Sequence, residues 1–326
     1  MWGMCNRQFI DEWDNRIKPA LVEHMVETLN TWFYQEYDWD NSEDATTEEF
    51  ATYSNRLRAV TQNITADVTI DTLLNSYYQD HQCQNADIIT GLRDRIIEIL
   101  VNWGKTVKPK TREPDIIDNN NYYNGYWETR IIPDARGIER SSGIRELIDP
   151  GIKIIVKYIQ DKRNNGDGNI TQILDIARNG NDYRIASWSK LLAALEPGRF
   201  FIYDSRVAIA LTNFCYPRCR RFWKIPYKRF TANNRINYNN FIERVGYNAQ
   251  QHEDFPTCYY CYHDLLRTLA DRQEICQDNQ GAYDNLNENI TATYTNAGFT
   301  RKPAIMAHIE KMLFMLAPRI LREENN

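Results

Sequence analysis

The sequence predicts a mainly α-helical protein. Apolar residues recur three or four positions apart along most of the chain, which is the spacing of one face of an α-helix. Alternation typical of strands is confined to residues 67–71 and 128–132, and FFIY at 200–203 is too short to interpret. With 326 residues, 42% of them hydrophobic, the chain can bury a sizeable core.

Apolar faces and start signals justify the helices in order along the chain. Phe9–Thr31 has a continuous apolar face, and Thr46–Val60 opens with the capping-box spelling Thr46-x-x-Glu49. The last helix opens with Pro303, which a first helical turn tolerates. The other predicted helices are Ala86–Trp103, Ile144–Asp161, Ile170–Arg178, Arg184–Leu195, Ser205–Phe214, Phe241–Tyr247 and His263–Cys276.

The stretch 105–128 is the longest candidate loop, so it marks a boundary between lobes or a functional loop. We predict an N-terminal helical lobe, 1–115, and a second lobe, 116–326, with a single domain as the alternative. The first residues, MWGMCNRQFIDEWDNRIK, lack the apolar core of a signal peptide, and charges interrupt IMAHIEKMLFMLA. The seven cysteines, an odd number, fit reduced thiols. We therefore expect a soluble, cytoplasmic monomer without a membrane partner.

Lys190 and Asp204 are the candidate catalytic residues, and each has an ordinary structural alternative. On a helical wheel Lys190 lies opposite the apolar stripe, among alanines and serines. It is either a solvated lysine on an outer face or an amine that acts as a nucleophile if its pKa is depressed. Asp204 ends an apolar run and precedes a helix, so it is predicted to be an N-cap. Amide hydrogen bonds and the helix dipole would favour its ionised form.

The residues around this pair resemble a known enzyme family. ILDIARNGND at 173–182, the SerLys pair at 189–190 and IYDSRVA at 202–208 are similar to segments of the helix-hairpin-helix DNA glycosylases. The bacterial branch similar to 8-oxoguanine DNA glycosylases is the nearest. The resemblance covers about 45 residues clearly and residues 130–230 loosely. It implies a helix-hairpin-helix glycosylase-like fold, with two helical lobes around a DNA-binding cleft.

The resemblance also implies roles for individual residues. In that family the aspartate stabilises the sugar cation that develops as the N-glycosidic bond breaks, or activates the attacking group; this role falls to Asp204. The lysine, where present, attacks C1′ and forms a Schiff base, and this role falls to Lys190. Nothing in the sequence indicates a depressed lysine pKa, which favours water as the nucleophile. No cofactor is implied, and the residues expected to contact the DNA backbone here are Asn179, Gly180, Asn181 and Arg206.

Charge is segregated along the chain. The net charge is −5, yet residues 216–230, YPRCRRFWKIPYKRF, contain six basic and five aromatic residues and no acid. Residues 31–55 contain seven acidic residues and no Lys or Arg. A local basic patch can bind a polyanion even when the net charge of the protein is negative. The alternative is a basic surface turn whose aromatic residues belong to the core. Phe222 and Trp223 could stack on an unpaired base, and the candidate phosphate contacts are Arg218, Arg220, Arg221 and Lys224.

Two cysteine pairs have a spacing that can hold zinc. They are Cys215-x3-Cys219 and Cys258-x2-Cys261, with His252 and His263 near the second pair. The 38 residues between the pairs argue against a shared site, so no metal is predicted.

The loop at 115–128, DIIDNNNYYNGYWE, suits a glycosylated base, because amides and acids bind hydroxyls and aromatic faces pack on sugars. A polar surface loop is the alternative. The chain as a whole resembles the antiphage members of the glycosylase group, which excise glucosylated hydroxymethylcytosine from phage DNA. The expected partner is therefore double-stranded DNA. Oxidised guanine remains an alternative substrate and a non-catalytic DNA-binding protein an alternative function. The residues assigned to the base pocket are Trp188, Tyr203, Tyr123 and Trp127.

Overall fold

A computed structural model confirms the predicted mainly α-helical class. It describes residues 7–33, 47–65, 68–70, 73, 86–104, 145–165, 170–176, 184–215, 223–226, 232–247, 254–272 and 301–323. Within these ranges the chain is helical or irregular, and the nearest approach to a sheet is an isolated bridge between Pro197 and Phe200. Residues 68–70, one of the two stretches with strand-like alternation, form no strand, and the other lies outside the described ranges.

The described helices include both α-helices and π-helical segments. Two short π-helical segments, Trp13–Ile17 and Glu98–Trp103, continue the helices that precede them. In chain order the α-helices are α1 (Arg7–Glu12), α2 (Lys18–Phe33), α3 (Thr47–Thr61), α4 (Ala86–Ile97), α5 (Arg145–Asn165), α6 (Ile170–Ile176), α7 (Ile185–Leu195), α8 (Ser205–Cys215), α9 (Ala232–Val245), α10 (Phe255–Asp271) and α11 (Arg301–Glu323).

The chain forms two compact units, which divide it differently from the predicted lobes. One unit contains residues 1–44 and 169–326, and the other contains residues 45–168. The predicted boundary between residues 115 and 116 lies outside the described residues.

The unit of residues 45–168 is built on α3, α4 and α5. Helices α3 and α4 approach closely at Gly91, where an added Cβ would lie 3.1 Å from a Val60 methyl group. A side chain at position 91 would therefore require the Val60 side chain to shift by a few tenths of an ångström. Arg95 and Arg56 both pair with Glu98, which joins the start of the π-helical segment to α3.

The other unit contains every described candidate for catalysis or DNA binding. Its core includes α7, of which ten of the eleven residues are buried, and α8, of which nine are buried. Helices α8 and α10 both pack against α11, and α2 packs against α8 and α10. Trp13 meets Trp223 edge to face with ring centroids 5.8 Å apart, which ties the start of the chain to this core.

Two helix starts differ from the sequence prediction by more than two residues. The helix predicted from His263 begins eight residues earlier, at Phe255, and the helix predicted from Phe241 begins at Ala232. In the first case Asp254 is the N-cap, and its side chain accepts a hydrogen bond from Thr257 N at 2.8 Å. The segment FPTCYYCYH is buried on most faces, so it lacks the one-sided apolar pattern by which helices were recognised.

None of the helices in the described ranges is long and apolar enough to cross a membrane. Helices α6 and α7 lie on either side of residues 177–184, where the resemblance predicts the hairpin. Residues 177–183 are outside the described ranges, so the hairpin remains a prediction.

Candidate functional site

Asp204 is the N-cap of α8, as the sequence predicts. Its carboxylate accepts hydrogen bonds from the backbone N–H groups of Arg206 at 2.9 Å and Val207 at 3.2 Å. Its carbonyl accepts from Ala208 N at 3.0 Å and so begins the helical ladder. The side chain remains partly exposed, which combines a fixed position with access from outside.

The extended segment that leads to Asp204 is held by side chains from three other helices. Residues 201–203 are irregular, so their backbone N–H groups have no partners within a helix or sheet. Each donates instead to a side chain. The acceptors are His263 Nε2 at 3.4 Å from Phe201 N, Glu310 Oε1 at 2.6 Å from Ile202 N, and Ser189 Oγ at 3.0 Å from Tyr203 N. Asp204 therefore follows a backbone fixed from α7, α10 and α11.

Lys190 is buried, so the solvated alternative from the helical wheel is wrong. Its relative exposure is 7%, and three of the small residues on the same side of α7, Ser187, Ala193 and Ala194, are buried with it, while Ala186 is partly exposed. Alanines and serines allow neighbouring elements to pack closely against this side of the helix. The Lys190 amine donates a hydrogen bond to the Ala186 carbonyl at 3.0 Å.

Burial lowers the pKa of Lys190 below its ordinary value, because the ammonium form loses its hydration. Three charged neighbours modify this effect. The Asp204 carboxylate raises the Lys190 pKa, the Arg206 guanidinium lowers it, and the Glu310 carboxylate raises it, but burial is the largest cause. The structure thus brings the two predicted catalytic residues into one electrostatic neighbourhood, where the lysine is biased toward the neutral amine.

Glu310 is a member of this neighbourhood that sequence reasoning missed. It lies in the middle of α11, and burial raises its pKa to about 8, while the hydrogen bond from Ile202 N and the nearby Lys190 act in the opposite direction. In the sequence it was visible as an acid inside the apolar stretch IMAHIEKMLFMLA. A lone acid within such a stretch is rarely buried without a partner, and this is the signal that could have found it.

Two buried tyrosines of α10 complete the surroundings of this cluster. Tyr259 donates a hydrogen bond to the Phe201 carbonyl at 2.9 Å. Tyr262 is fully buried, and its hydroxyl has no hydrogen-bond partner among the described residues. Burial raises the pKa of both phenols well above the ordinary value, and Glu310 adds to the effect on each. Both phenols are therefore neutral, and the Tyr262 O–H group has no acceptor among the described residues.

The two predicted pocket residues in the described ranges are buried. Trp188 and Tyr203 are both 0% exposed. The Tyr203 hydroxyl donates to the Lys224 carbonyl at 2.9 Å, and its ring lies 5.6 Å from that of Tyr262. The Trp188 Nε1–H has no hydrogen-bond partner within the part of the chain that is described. In this conformation neither ring offers an open surface to a base, so base binding there would require a rearrangement.

The described part of the basic stretch is anchored in the core. Trp223 is 1% exposed and donates from Nε1 to Cys215 Sγ at 3.0 Å, so its ring belongs to the core and does not stack on DNA here. The backbone of Lys224 is fixed by Tyr203 and by Cys258 Sγ, and its partly exposed ammonium lies 4.8 Å from the centre of the Phe255 ring. Trp223 and Lys224, in the middle of the stretch, are therefore fixed to the core.

Arg206, the other described candidate for DNA contact, lies on the first turn of α8. Its guanidinium stacks over the Phe314 ring at 4.3 Å, and the side chain is partly exposed. The remaining candidates lie outside the described residues and stay predictions. They are Asn179, Gly180, Asn181, Arg218, Arg220, Arg221, Tyr123 and Trp127.

The described cysteines are buried thiols. Cys215, Cys258 and Cys261 are free, and within the described ranges no group of three or more His, Cys, Asp or Glu residues could hold a metal ion. Cys219 and His252, two of the ligands considered from the sequence, lie outside those ranges.

Comparison with models of known protein families found no match, and comparisons with curated proteins and solved structures found no significant match.

Proposed function

We propose that this protein is a DNA glycosylase that flips out a modified base, cleaves its N-glycosidic bond and leaves an abasic site. The observation that carries the proposal is the neighbourhood of a buried lysine amine and an aspartate fixed at a helix N-terminus. The helix-hairpin-helix glycosylase fold implied by the resemblance is part of the same proposal. The substrate we propose is glucosylated hydroxymethylcytosine of phage DNA, which would make the enzyme an antiviral defence protein.

The chemistry assigned to Asp204 is electrostatic. As the bond between C1′ and the base nitrogen breaks, its electron pair leaves with the base and positive charge develops on the sugar. A carboxylate held in place stabilises that charge without having to reorganise. Two amide hydrogen bonds and the anchored 201–203 segment give Asp204 that rigidity, and its partial exposure gives a sugar access to it.

Lys190 can serve as the nucleophile that attacks C1′. A nucleophilic amine must be unprotonated, and burial shifts Lys190 in that direction. The sequence contained no sign of a depressed lysine pKa, which favoured water as the nucleophile. With the amine buried, we now propose that Lys190 forms the covalent intermediate. The amine must first release the Ala186 carbonyl and become accessible.

A non-catalytic DNA-binding protein is the second candidate. The observation that favours it is the complete burial of Trp188 and Tyr203, because a base-excising enzyme needs an open pocket for the extruded nucleotide. In this alternative the basic stretch binds DNA and the Lys190 cluster is structural.

Abasic-site formation separates the two candidates. The protein is incubated with phage DNA carrying glucosylated hydroxymethylcytosine, with the same DNA lacking glucose, and with a duplex containing oxidised guanine, and released bases are identified by mass. We expect release of the glucosylated base. A pocket that binds sugar hydroxyls should reject the unglucosylated base, because its buried polar groups would be left unpaired. Release of oxidised guanine alone would reassign the substrate, and release from none would favour the DNA-binding protein.

The variant Asp204→Asn tests the assigned role. Asparagine is as good an N-cap as aspartate, so the helix and DNA binding should persist while base release falls by about 100-fold or more. Asp254→Asn is the matched control, because it makes the same change at the N-cap of α10. We expect the control to keep full activity. Equal activity in Asp204→Asn and the parent would contradict the proposal.

A further inference from the structure

Glu310 is joined to the segment that carries Asp204 by a direct hydrogen bond. Its Oε1 accepts from Ile202 N at 2.6 Å, two residues before the aspartate. This contact joins the middle of α11 to a stretch of chain that lies 108 residues away in sequence. An unpaired buried N–H would cost stability, so the carboxyl group fixes the course of the backbone at this point.

The same carboxyl group belongs to a partly buried ionisable cluster. The groups that interact electrostatically with it are Lys190 from α7, Asp204 at the start of α8, and Tyr259 and Tyr262 from α10. Helix α9 also packs on α11, and its described charged side chains, those of Glu243 and Arg244, are exposed. Lys190 is therefore the cation with which Glu310 interacts in this cluster, and Asp204 is the competing anion.

We infer that Glu310 is a positioning residue of the proposed active site, which holds the backbone leading to Asp204 and controls the charge of the Lys190 amine. This inference rests on the proposed glycosylase function. Glu310 does not touch the reacting atoms; it acts through Ile202 on the position of Asp204 and through the electric field on Lys190.

The physical basis is the electrostatic interaction between Glu310 and Lys190. Burial raises the pKa of Glu310 to about 8, so the group is largely protonated at neutral pH. A neutral Glu310 gives the Lys190 ammonium little support, which keeps the amine available for attack. As the pH rises through about 8, Glu310 ionises and stabilises the ammonium form of Lys190.

The variant Glu310→Gln separates the two roles. Glutamine can still accept the hydrogen bond from Ile202 N, but it cannot ionise. Glu310→Leu removes both the acceptor and the charge. Met312→Leu is the control for packing, because it changes a buried residue of the same helix to one of similar volume.

The first measurement is the pKa of Lys190, followed in the full-length protein by nuclear magnetic resonance of ¹³C-labelled lysine. Above about pH 8, where Glu310 is ionised in the parent protein, we expect the Lys190 amine to lose its proton at lower pH in Glu310→Gln, because the anionic neighbour is gone. Met312→Leu should leave the titration unchanged. If Glu310→Gln does not fold, Lys190→Met provides the reciprocal test. It should shift the carboxyl titration of Glu310 to higher pH, since Lys190 lowers the pKa of that group.

The second measurement is the pH profile of base release from glucosylated phage DNA. Glu310→Gln should match the parent below about pH 8, where Glu310 is already neutral, and should exceed it above that pH, where an ionised Glu310 would stabilise the Lys190 ammonium. Glu310→Leu should reduce base release at all pH values, because the Asp204 segment loses an anchor. An unshifted Lys190 titration in Glu310→Gln, or an equal shift in Met312→Leu, would overturn the inference while leaving the glycosylase proposal intact. A shifted titration in a protein that releases no base would instead overturn the proposed function and keep the Glu310–Lys190 coupling.

Discussion

At the scale of single residues, the most informative side chain is Lys190. The side chain is 7% exposed and donates a hydrogen bond to the Ala186 carbonyl, so its ammonium form loses hydration that its neighbours must replace. The Asp204 carboxylate favours the ammonium form, and Glu310 does so once it ionises, but burial remains the dominant effect on the Lys190 pKa. The proposed role of Lys190 as a nucleophile rests on these conditions, because burial favours the neutral amine.

Covalent trapping tests this interpretation of Lys190. If its amine attacks C1′, the resulting Schiff base can be reduced, so borohydride should link the protein to glucosylated phage DNA. Lys190→Gln should abolish the adduct and any strand cleavage. Lys18→Gln is the matched control: Lys18 is a partly buried lysine of the same unit, bound by Asp14 and Asp264. Its loss should leave trapping unchanged.

Base release that survives in Lys190→Gln, without an adduct in the parent protein, would make water the nucleophile. In that case the buried lysine would only set the electrostatic environment of Asp204.

These residues also show what could be read from the sequence. The N-cap role of Asp204 was predictable, because it depends on an apolar run followed at once by a helix. The burial of Lys190 was not, because a wheel shows which face of one helix is apolar and cannot show that small residues on the other face are also covered. Glu310 lies more than a hundred residues from its partner Ile202, and no local pattern joins them.

At the scale of helices, α10 is the element that organises the site. It supplies His263 to Phe201 N, Tyr259 to the Phe201 carbonyl, and Asp264 to Trp13 Nε1 at 2.9 Å. Asp254 and the proline at the second helical position were local start signals for this helix. They were overlooked because the aromatic and cysteine residues that follow are buried on most sides and give no clear periodicity.

His263 makes the stability of this region dependent on pH. Burial lowers its pKa to about 3 from an ordinary value of 6.5, so the folded protein holds the neutral form. Between pH 6.5 and 3 the unfolded chain binds a proton that the folded protein does not. The stability that the neutral histidine contributes is therefore complete above pH 6.5 and is lost as the pH falls toward 3.

Replacing His263 by glutamine should reduce this acid sensitivity. Glutamine can still accept from Phe201 N but does not titrate, so the free energy of unfolding should fall less between pH 7 and pH 4.5 than in the parent. Denaturant titration at the two pH values measures the difference. The control Leu269→Met changes a buried, non-titrating residue of α10 and should shift stability equally at both pH values. An unchanged pH dependence in His263→Gln would show that the histidine titrates normally.

At the scale of the whole molecule, the local distribution of charged residues bears on polyanion binding more than the net charge does. The chain carries a net charge of −5, yet six of the fifteen residues at 216–230 are Lys or Arg. The described part of that stretch is fixed to the core through Trp223 and the backbone of Lys224. This density of basic residues motivates the proposed contact with a phosphate backbone.

The helical class was predictable for the whole molecule, because helical periodicity repeats locally along the chain. The division into units was not, because residues 1–44 belong to one unit with residues 169–326. Contacts such as that between Trp13 and Trp223 join segments that are remote in sequence. Sequence patterns identify elements, whereas the pairing of distant elements depends on complementary shapes that a single sequence does not display.

The salt dependence of DNA binding tests the role assigned to the basic stretch. Each phosphate contact with duplex DNA adds about 0.9 to the slope of log affinity against log salt. Replacing Arg220, Arg221 and Lys224 together by glutamine should therefore weaken binding to all DNA sequences and lower the slope by about 2 to 3. The control removes the same charges elsewhere, at Arg16, Arg58 and Lys302, whose partners are Glu12, Asn55 and Asp271. A long-range electrostatic effect of net charge would act on both variants alike. A larger loss of slope in the first variant therefore identifies direct phosphate contacts. Equal slopes in the two variants would assign the basic stretch a structural role.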